Sequence, residues 1–274
     1  MTKVALITGA SSGFGLLTSV TLARRGWRVL ATMRDLSRRG KLEEAARAAG
    51  VLDCIEFLAL DVTNSEQIAE LAATIASRPN SLDAVVSNAG FAMAGFTEDV
   101  TDAELRQQFE TNFFGAAAVT RAFLPQLRRQ GMGHIVMISS ISGRMGFPGV
   151  GSYAASKFAL EGCAESLRIQ VVLVEPGSFE TDIWTRNAIL SASAQDANSP
   201  NAARTARLLG QRERGKLKAN PQIVADGIAA ILDDPRPRLR YVFGWDAHLG
   251  LALKRLLPSR VLEWLLIKVS GIGA

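Results

Sequence analysis

Apolar residues along the chain fall into two textures that take turns. Short, nearly continuous runs, "KVALIT" (3–8), "RVLATM" (28–33), "IEFLAL" (55–60), "LDAVVS" (82–87), "HIVMIS" (134–139), "QVVLVE" (170–175) and "LRYVFG" (239–244), read as strands covered on both faces. Between them, helical patterns lie near 13–25, 39–49, 64–77, 101–130, 152–168 and 221–233. Thr63 and Asn64 ahead of Glu66 and Gln67, and Thr101 ahead of Glu104, carry side chains suited to capping helix N-termini. Strand and helix alternating this often predict an α/β protein with a doubly wound, parallel, seven-stranded sheet, the Rossmann fold, in a single domain over residues 1–245. Right-handed crossovers then place every strand's C-terminal end on one edge, where ligands bind.

Two segments break the alternation. Residues 182–220 are rich in Ala, Ser, Asn and Arg and enter just after the sixth strand, where long insertions serve as lids or substrate loops. The alternative is a solvated segment, and the basic run Arg204, Arg207, Arg212, Arg214, Lys216 and Lys218 reads as a wet face. Residues 246–274 form an amphipathic, leucine-rich extension with two readings. One is a lid or subunit contact packed on the core, which we favour; the other is a helix lying on a membrane surface, basic side chains toward the headgroups. Lys254, Arg255, Pro258, Arg260 and Glu263 interrupt it, so it lacks the ~18 uninterrupted apolar residues of a spanning helix.

Composition narrows the classes further. With 48% hydrophobic residues in 274, the chain can build a sizeable core. Its formal charge of +5 selects no partner by itself, and no nucleic-acid partner is expected. Two cysteines, Cys54 and Cys163, and two histidines, His134 and His248, supply neither a disulfide framework nor a clustered metal-ligand set. "MTKVALITGA" runs straight into a strand without a leader pattern, so the expected location is cytoplasmic.

The chemistry starts after the first strand with "TGASSGFG", residues 8–15. Gly9, Gly13 and Gly15, with Ser11, Ser12 and Phe14 between them, sit where backbone N–H groups and a helix N-terminus meet a pyrophosphate. Past the second strand, "ATMRDLSRR" offers Arg34, with Arg38 and Arg39 nearby, to a ribose 2′-phosphate. NADP(H) is therefore the favoured cofactor, while Asp35 keeps NAD(H) open. Asp61 and Val62 end the third strand where an adenine would lie, and Asn88, Ala89 and Gly90 end the fourth with bare backbone toward the cofactor. Tyr153 and Lys157, four apart in "YAASK", share one face of a helix. An ammonium beside a phenol favours phenolate, so the expectation is a phenol drawn down toward working pH as an acid/base. Ser140 at the end of the fifth strand would hydrogen-bond a carbonyl oxygen.

Taken in order, "TGASSGFG", the "NAG" after the fourth strand, a serine thirteen residues before the tyrosine, "YAASK" and "PGSFET" resemble the short-chain dehydrogenase/reductase family over residues 3–182, with later elements recognisable to 244. The resemblance implies four catalytic positions: Asn112, Ser140, Tyr153 and Lys157, with Asn112 holding a water that links Lys157 to solvent. It also implies that Pro176, Gly177 and Thr181 hold the nicotinamide carboxamide. "VLVEPGSF", "ASKFALEG" and the tail look most like the hydroxysteroid- and retinol-dehydrogenase-like branch. The implied activity is hydride transfer between NADP(H) and a hydrophobic alcohol or ketone, with Met145, Phe147 and Trp184 beside Ser140 and Tyr153 in the substrate pocket. Phe91, Met93 and Val150 are further apolar candidates. An NAD-dependent alcohol dehydrogenase of the same mechanism and a non-catalytic dinucleotide-binding scaffold are the competing readings. One departure stands out. Arg168 is followed almost at once by the sixth strand, which shortens the crossover and leaves open whether this helix still forms the homo-oligomer face common in the family.

Overall fold

The computed structural model describes residues 2–78, 82–167, 171–184, 187–196, 198–214 and 218–270, without the side chains of 184 and 209–214. In chain order the strands are β1 Val4–Ile7, β2 Arg28–Met33, β3 Ile55–Ala59, β4 Ala84–Ser87, β5 Ala92–Ala94, β6 His134–Ile138, β7 Val171–Pro176, β8 Ala188–Leu190 and β9 Arg240–Phe243. Seven of them make one sheet in the order β3-β2-β1-β4-β6-β7-β9. Every pairing in it is parallel, from Val29 opposite Ile55 at one side to Leu173 opposite Arg240 at the other. The order reverses between β1 and β4, which opens a crevice at their C-terminal ends.

The helices are α1 Gly13–Arg24, α2 Gly40–Ala48, α3 Ser65–Ala76, α4 Asp102–Phe109, α5 Ala116–Gln130, α6 Gly151–Leu167, α7 Ala202–Arg214, α8 Gln222–Asp233, α9 Trp245–Leu256 and α10 Ser259–Ser270. They cover both faces of the sheet, and the strand side chains alternate between two cores. Ala5, Ile7, Val29, Ala31, Val86, Val136 and Val174 meet Leu22, Val224 and Ile228 of α1 and α8. Val4, Leu6, Leu30, Val85, Ile135, Met137 and Leu173 meet Ile68, Phe123, Leu127 and Leu160 of α3, α5 and α6. With one apolar layer on each side, the period of two along a strand is masked by burial at every position.

Several details differ from the sequence expectations. Asn64 alone caps α3, its Oδ1 accepting from Glu66 N and Gln67 N at 3.0 and 3.0 Å. Thr63 instead donates through both N and Oγ1 to Asp61, at 2.9 and 2.8 Å. Thr101 makes the expected reciprocal cap with Glu104. The helix expected over 101–130 is divided by a π turn, Glu110–Gly115. The inserted segment supplies β8, which pairs in parallel with β5 as a separate two-stranded ribbon. α6 ends at Leu167 and β7 starts at Val171; Arg168 and its two successors lie outside the described residues. α9 packs on β9 with Ala247 fully buried, and Asp246 accepts from Ser178 N at 2.7 Å. α10 buries no residue and exposes Val261, Trp264, Ile267 and Val269. Among the described residues no helix is long and apolar enough to cross a membrane.

Phe123 is the bulkiest fully enclosed side chain of the α5 face. Phe123→Ala is expected to cost about 3–5 kcal/mol in urea unfolding, because its neighbours in the strands cannot collapse into the space.

Candidate active site

The crevice at the switch of strand order is a cleft of about 480 Å³ lined by the β1–α1 turn, the ends of β2, β3 and β4, and the inserted segment. Its floor is built from glycine backbone. Gly9 has φ +67°, and a Cβ there would stand 2.8 Å from Ala89 Cα; a Cβ at Gly15 would stand 2.6 Å from Gly9 O. Gly13, at φ +56°, starts α1 beneath the Thr181 side chain. Ser11, Ser12 and Phe14 complete this wall, and Gly15 lies behind it. Asn88 fixes the turn by donating its carboxamide N–H groups to Thr8 O and Gly9 O at 2.9 and 3.0 Å, while Thr8 Oγ1 accepts from Asn88 N and Ala89 N. Its side chain is thus committed to the loop, and Ala89 and Gly90 present the backbone to the cleft.

At the far end, Arg34 and Arg38 are exposed on the wall beside Asp35. Asp35, on the same wall, caps the turn that follows, accepting from Ser37 N and Oγ at 2.9 and 2.8 Å. These hydrogen bonds, aided by Arg38 and Arg34, hold its carboxyl below the usual carboxylate range. Asp61 and Val62 lie on the same wall; Arg39 is instead paired with Glu43 at 3.2 Å. Of the "PGSFET" residues, Thr181 reaches the cleft; Pro176 is buried at the end of β7, and Gly177 donates its N–H to Phe243 O at 2.8 Å behind it. A glycine floor without room for side chains, helix α1 starting from it, and cations at one end fit a nicotinamide dinucleotide.

Asn112, Ser140, Tyr153 and Lys157, the groups singled out in the sequence, do not line this cleft; they lie buried behind its wall, joined to it through Phe91 and Ile183. Tyr153 is 3% exposed and Lys157 5%, one helical turn apart on α6. Lys157 Nζ donates to Ile138 O at 2.8 Å, at the end of β6. The Tyr153 hydroxyl is hydrogen-bonded to Ser140, and Ser140 Oγ accepts from Ser142 N at 3.1 Å. Asn112, inside the π turn, accepts from Phe91 N at 3.1 Å and donates to Phe91 O at 3.0 Å and Ser156 Oγ at 3.2 Å. Gly115 allows that turn to approach, since a Cβ there would be 2.9 Å from Val62 O.

Electrostatics departs from the sequence expectation at the phenol. Removal from water pushes Tyr153 up to about 12, with the Ser140 hydrogen bond only partly opposing it. The same burial pulls Lys157 down to about 8, against the attraction of Glu161. In the protein alone, dehydration is the largest influence on this phenol, and Tyr153 keeps its proton at neutral pH.

Above the phenol, Ala92 and Val150 form a small apolar cluster with the Tyr153 ring, joined by Phe147 and Ile183. Met145 is buried, with its methyl directed at Gly250 of α9. Met93 is fully buried and is a core residue, not a wall of the cleft. The side chain of Trp184 lies outside the described residues. Ile183, Asn187, Ala188 and Ile189 line the cleft from the insertion, and Gln107 and Thr111 from the α4 side. No motif marked them. Asn187 Nδ2 donates to Ser12 Oγ at 3.1 Å, latching the insertion onto the glycine turn.

Residues 3–189 match the family model described as short chain dehydrogenase. The chain is 40% identical over 275 residues to the uncharacterized oxidoreductase YusZ of Bacillus subtilis, covering 97% of this chain and 98% of that protein. It is 36% identical to retinol dehydrogenase 8 of Bos taurus, covering 94% and 86%. Among solved structures, a short-chain dehydrogenase from Streptomyces avermitilis superposes with a TM-score of 0.80 at 34% identity, covering 100% of both chains. One from Burkholderia phymatum in complex with NAD gives 0.76 at 26% identity, covering 96% and 95%. The chain belongs to the short-chain dehydrogenase/reductase family of oxidoreductases.

Two outcomes follow from the geometry. Gly9→Ala, forced into a positive φ against Ala89, is expected to weaken dinucleotide binding by roughly tenfold or more and lower the melting temperature, read by fluorescence titration and thermal melts. Tyr153, at about 12 folded against 10.0 for a free phenol, retains its proton where the unfolded chain has lost it. Its contribution is complete below pH 10 and lost as pH rises toward 12, so Tyr153→Phe should flatten the fall in unfolding free energy across that window.

Proposed function

We propose that the protein is an NADP(H)-dependent reductase of hydrophobic ketones, or the corresponding alcohol dehydrogenase, with Asn112, Ser140, Tyr153 and Lys157 as its working residues. The observation that carries this is the buried phenol–ammonium pair lying behind the wall of the glycine-floored cleft, with Ile183 shared between the two. A bound nicotinamide supplies or accepts the hydride at the substrate's carbonyl or carbinol carbon. Tyr153 delivers the proton to the carbonyl oxygen in the reductive direction, a role that suits a phenol protonated at neutral pH. Ser140, already hydrogen-bonded to that phenol, orients the oxygen. Lys157 places positive charge beside the phenolate left behind, its Nζ 5.8 Å from the Tyr153 ring centre. Asn112 holds the β4–β5 connection against α6 through Phe91 and Ser156.

Phe147, Ile183, Ala92 and Val150 around the Tyr153 ring support an apolar substrate, as does the name of the relative retinol dehydrogenase 8. Arg34 and Arg38 on the cleft wall, with Asp35 engaged by Ser37, support a cofactor carrying a 2′-phosphate.

A panel of hydrophobic ketones and alcohols, assayed with both cofactors, tests the reading. Tyr153→Phe is expected to lower kcat by at least about a thousandfold with the fold intact; a fully active variant overturns the assignment. Arg34→Asp is expected to move the ratio of kcat/KM for NADPH over NADH toward NADH by roughly tenfold or more. An unchanged ratio removes Arg34 from the cofactor site.

A further inference from the structure

Glu161 stands one turn beyond Lys157 on α6, so that Tyr153, Lys157, Glu161 and Glu165 form a single column running from the site toward solvent. Carboxylates at such helical positions ordinarily face water. Glu161 is only 4% exposed, while Glu165 at the outer end is exposed. Glu161 Oε2 accepts from Arg240 Nε and Nη2 at 3.2 and 3.0 Å, and the same guanidinium reaches Glu165 at 2.5 Å. On β7, Glu175 is fully buried; it pairs with Arg240 at 2.9 Å and accepts from Arg144 Nη1 at 3.2 Å through each oxygen. The Ser139 hydroxyl and Gly143 complete the enclosure: a Cβ at Gly143 would lie 2.7 Å from Ser139 Oγ and 3.0 Å from Glu161 Cγ.

The charged groups facing this space are Lys157 and Glu165 from α6, Glu175 from β7, Arg240 from β9 and Arg144 from the turn after β6, with Tyr153 and Ser139 as the neutral neighbours. Such a set is costly to bury and weak evidence of stabilisation. Its placement directly behind the phenol–ammonium pair assigns it another task. We propose that Glu161 is a positioning residue for the reaction, setting a buried carboxylate one turn behind the Lys157 ammonium while Arg240 anchors it, and with it α6, to β7 and β9. The inference rests on the catalytic reading of Tyr153 and Lys157 given above.

The physical logic has two opposed parts. Burial works against the charge on Lys157, and Glu161 is the group that restores it. Burial likewise pushes Glu161 toward its neutral form, with Glu175 adding to the push, while the hydrogen bonds from Arg240 oppose it. Removing the Glu161 carboxylate should therefore let Lys157 lose its proton at lower pH. Activity that needs the ammonium then fails earlier on the alkaline side.

The test is the pH dependence of kcat and KM for the wild type, Glu161→Gln, Glu161→Asp and Glu161→Met. Glu161→Gln keeps the shape and is expected to move the alkaline limb of kcat down by roughly one pH unit with KM nearly unchanged. Glu161→Asp, which keeps the charge, should return the limb most of the way. Glu161→Met should shift it in the same direction as Glu161→Gln, so either variant decides the matter if the other does not fold. A folded Glu161→Gln or Glu161→Met with its limb at the wild-type pH, or with kcat lowered equally at all pH values, overturns the proposal. Tyr153→Phe run alongside separates the two claims: if it stays active the site reading itself is wrong, and if it is inactive while the limb stays put only the role of Glu161 falls.

Discussion

The hydrogen bond from Lys157 Nζ to the carbonyl of Ile138 holds the functional end of this molecule together. An ammonium taken out of water must find acceptors, and the last carbonyl of β6 provides one where the ladder to β7 is running out. That contact fixes α6 against the C-terminal edge of the sheet. Tyr153 is then delivered one turn earlier, against Ser140 at the end of the same strand. The cleft, the glycine floor and the apolar cover gain their meaning from where that single donor lands.

Much of this could be read from residue order. Runs buried on both faces announced a parallel sheet, and the glycines of residues 8–15 announced a turn that admits no side chain. What stayed hidden has particular causes. β5 and β8 are three-residue segments, Ala92–Ala94 and Ala188–Leu190, too short for any pattern, and only their pairing across the fold makes them strands. Asn88 carries a generic polar side chain, and its use as a clamp on Thr8 and Gly9 depends on how close β1 and β4 run. Asp35 kept a second cofactor open in the sequence because nothing there shows its carboxylate folding back onto Ser37. The burial of Glu161 leaves no mark in the sequence because the arginine that makes it tolerable lies 79 positions away. Local chemistry is legible in a sequence; long-range compensation is not.

The direction of the phenol's perturbation carries the same lesson about magnitudes. A cation one turn away argues for phenolate, and a dry apolar surround argues for phenol. The surround wins in the protein alone. Ile183, which packs on that ring together with Phe147, also lines the cleft, so one of the groups that dry the phenol is part of the cleft wall.

The π turn at Glu110–Gly115 has a consequence for how this stretch tolerates change. A π turn is a regular helix carrying one surplus residue. The extra residue is absorbed within the turn, so Val119, Phe123 and Leu127 meet the sheet as they would on an uninterrupted helix. Deleting one of the six would close the backbone to ordinary spacing and leave that layer in place, but it would carry the carboxamide of Asn112 away from Phe91. A change of length in this stretch therefore falls on the Asn112 contacts and not on the core.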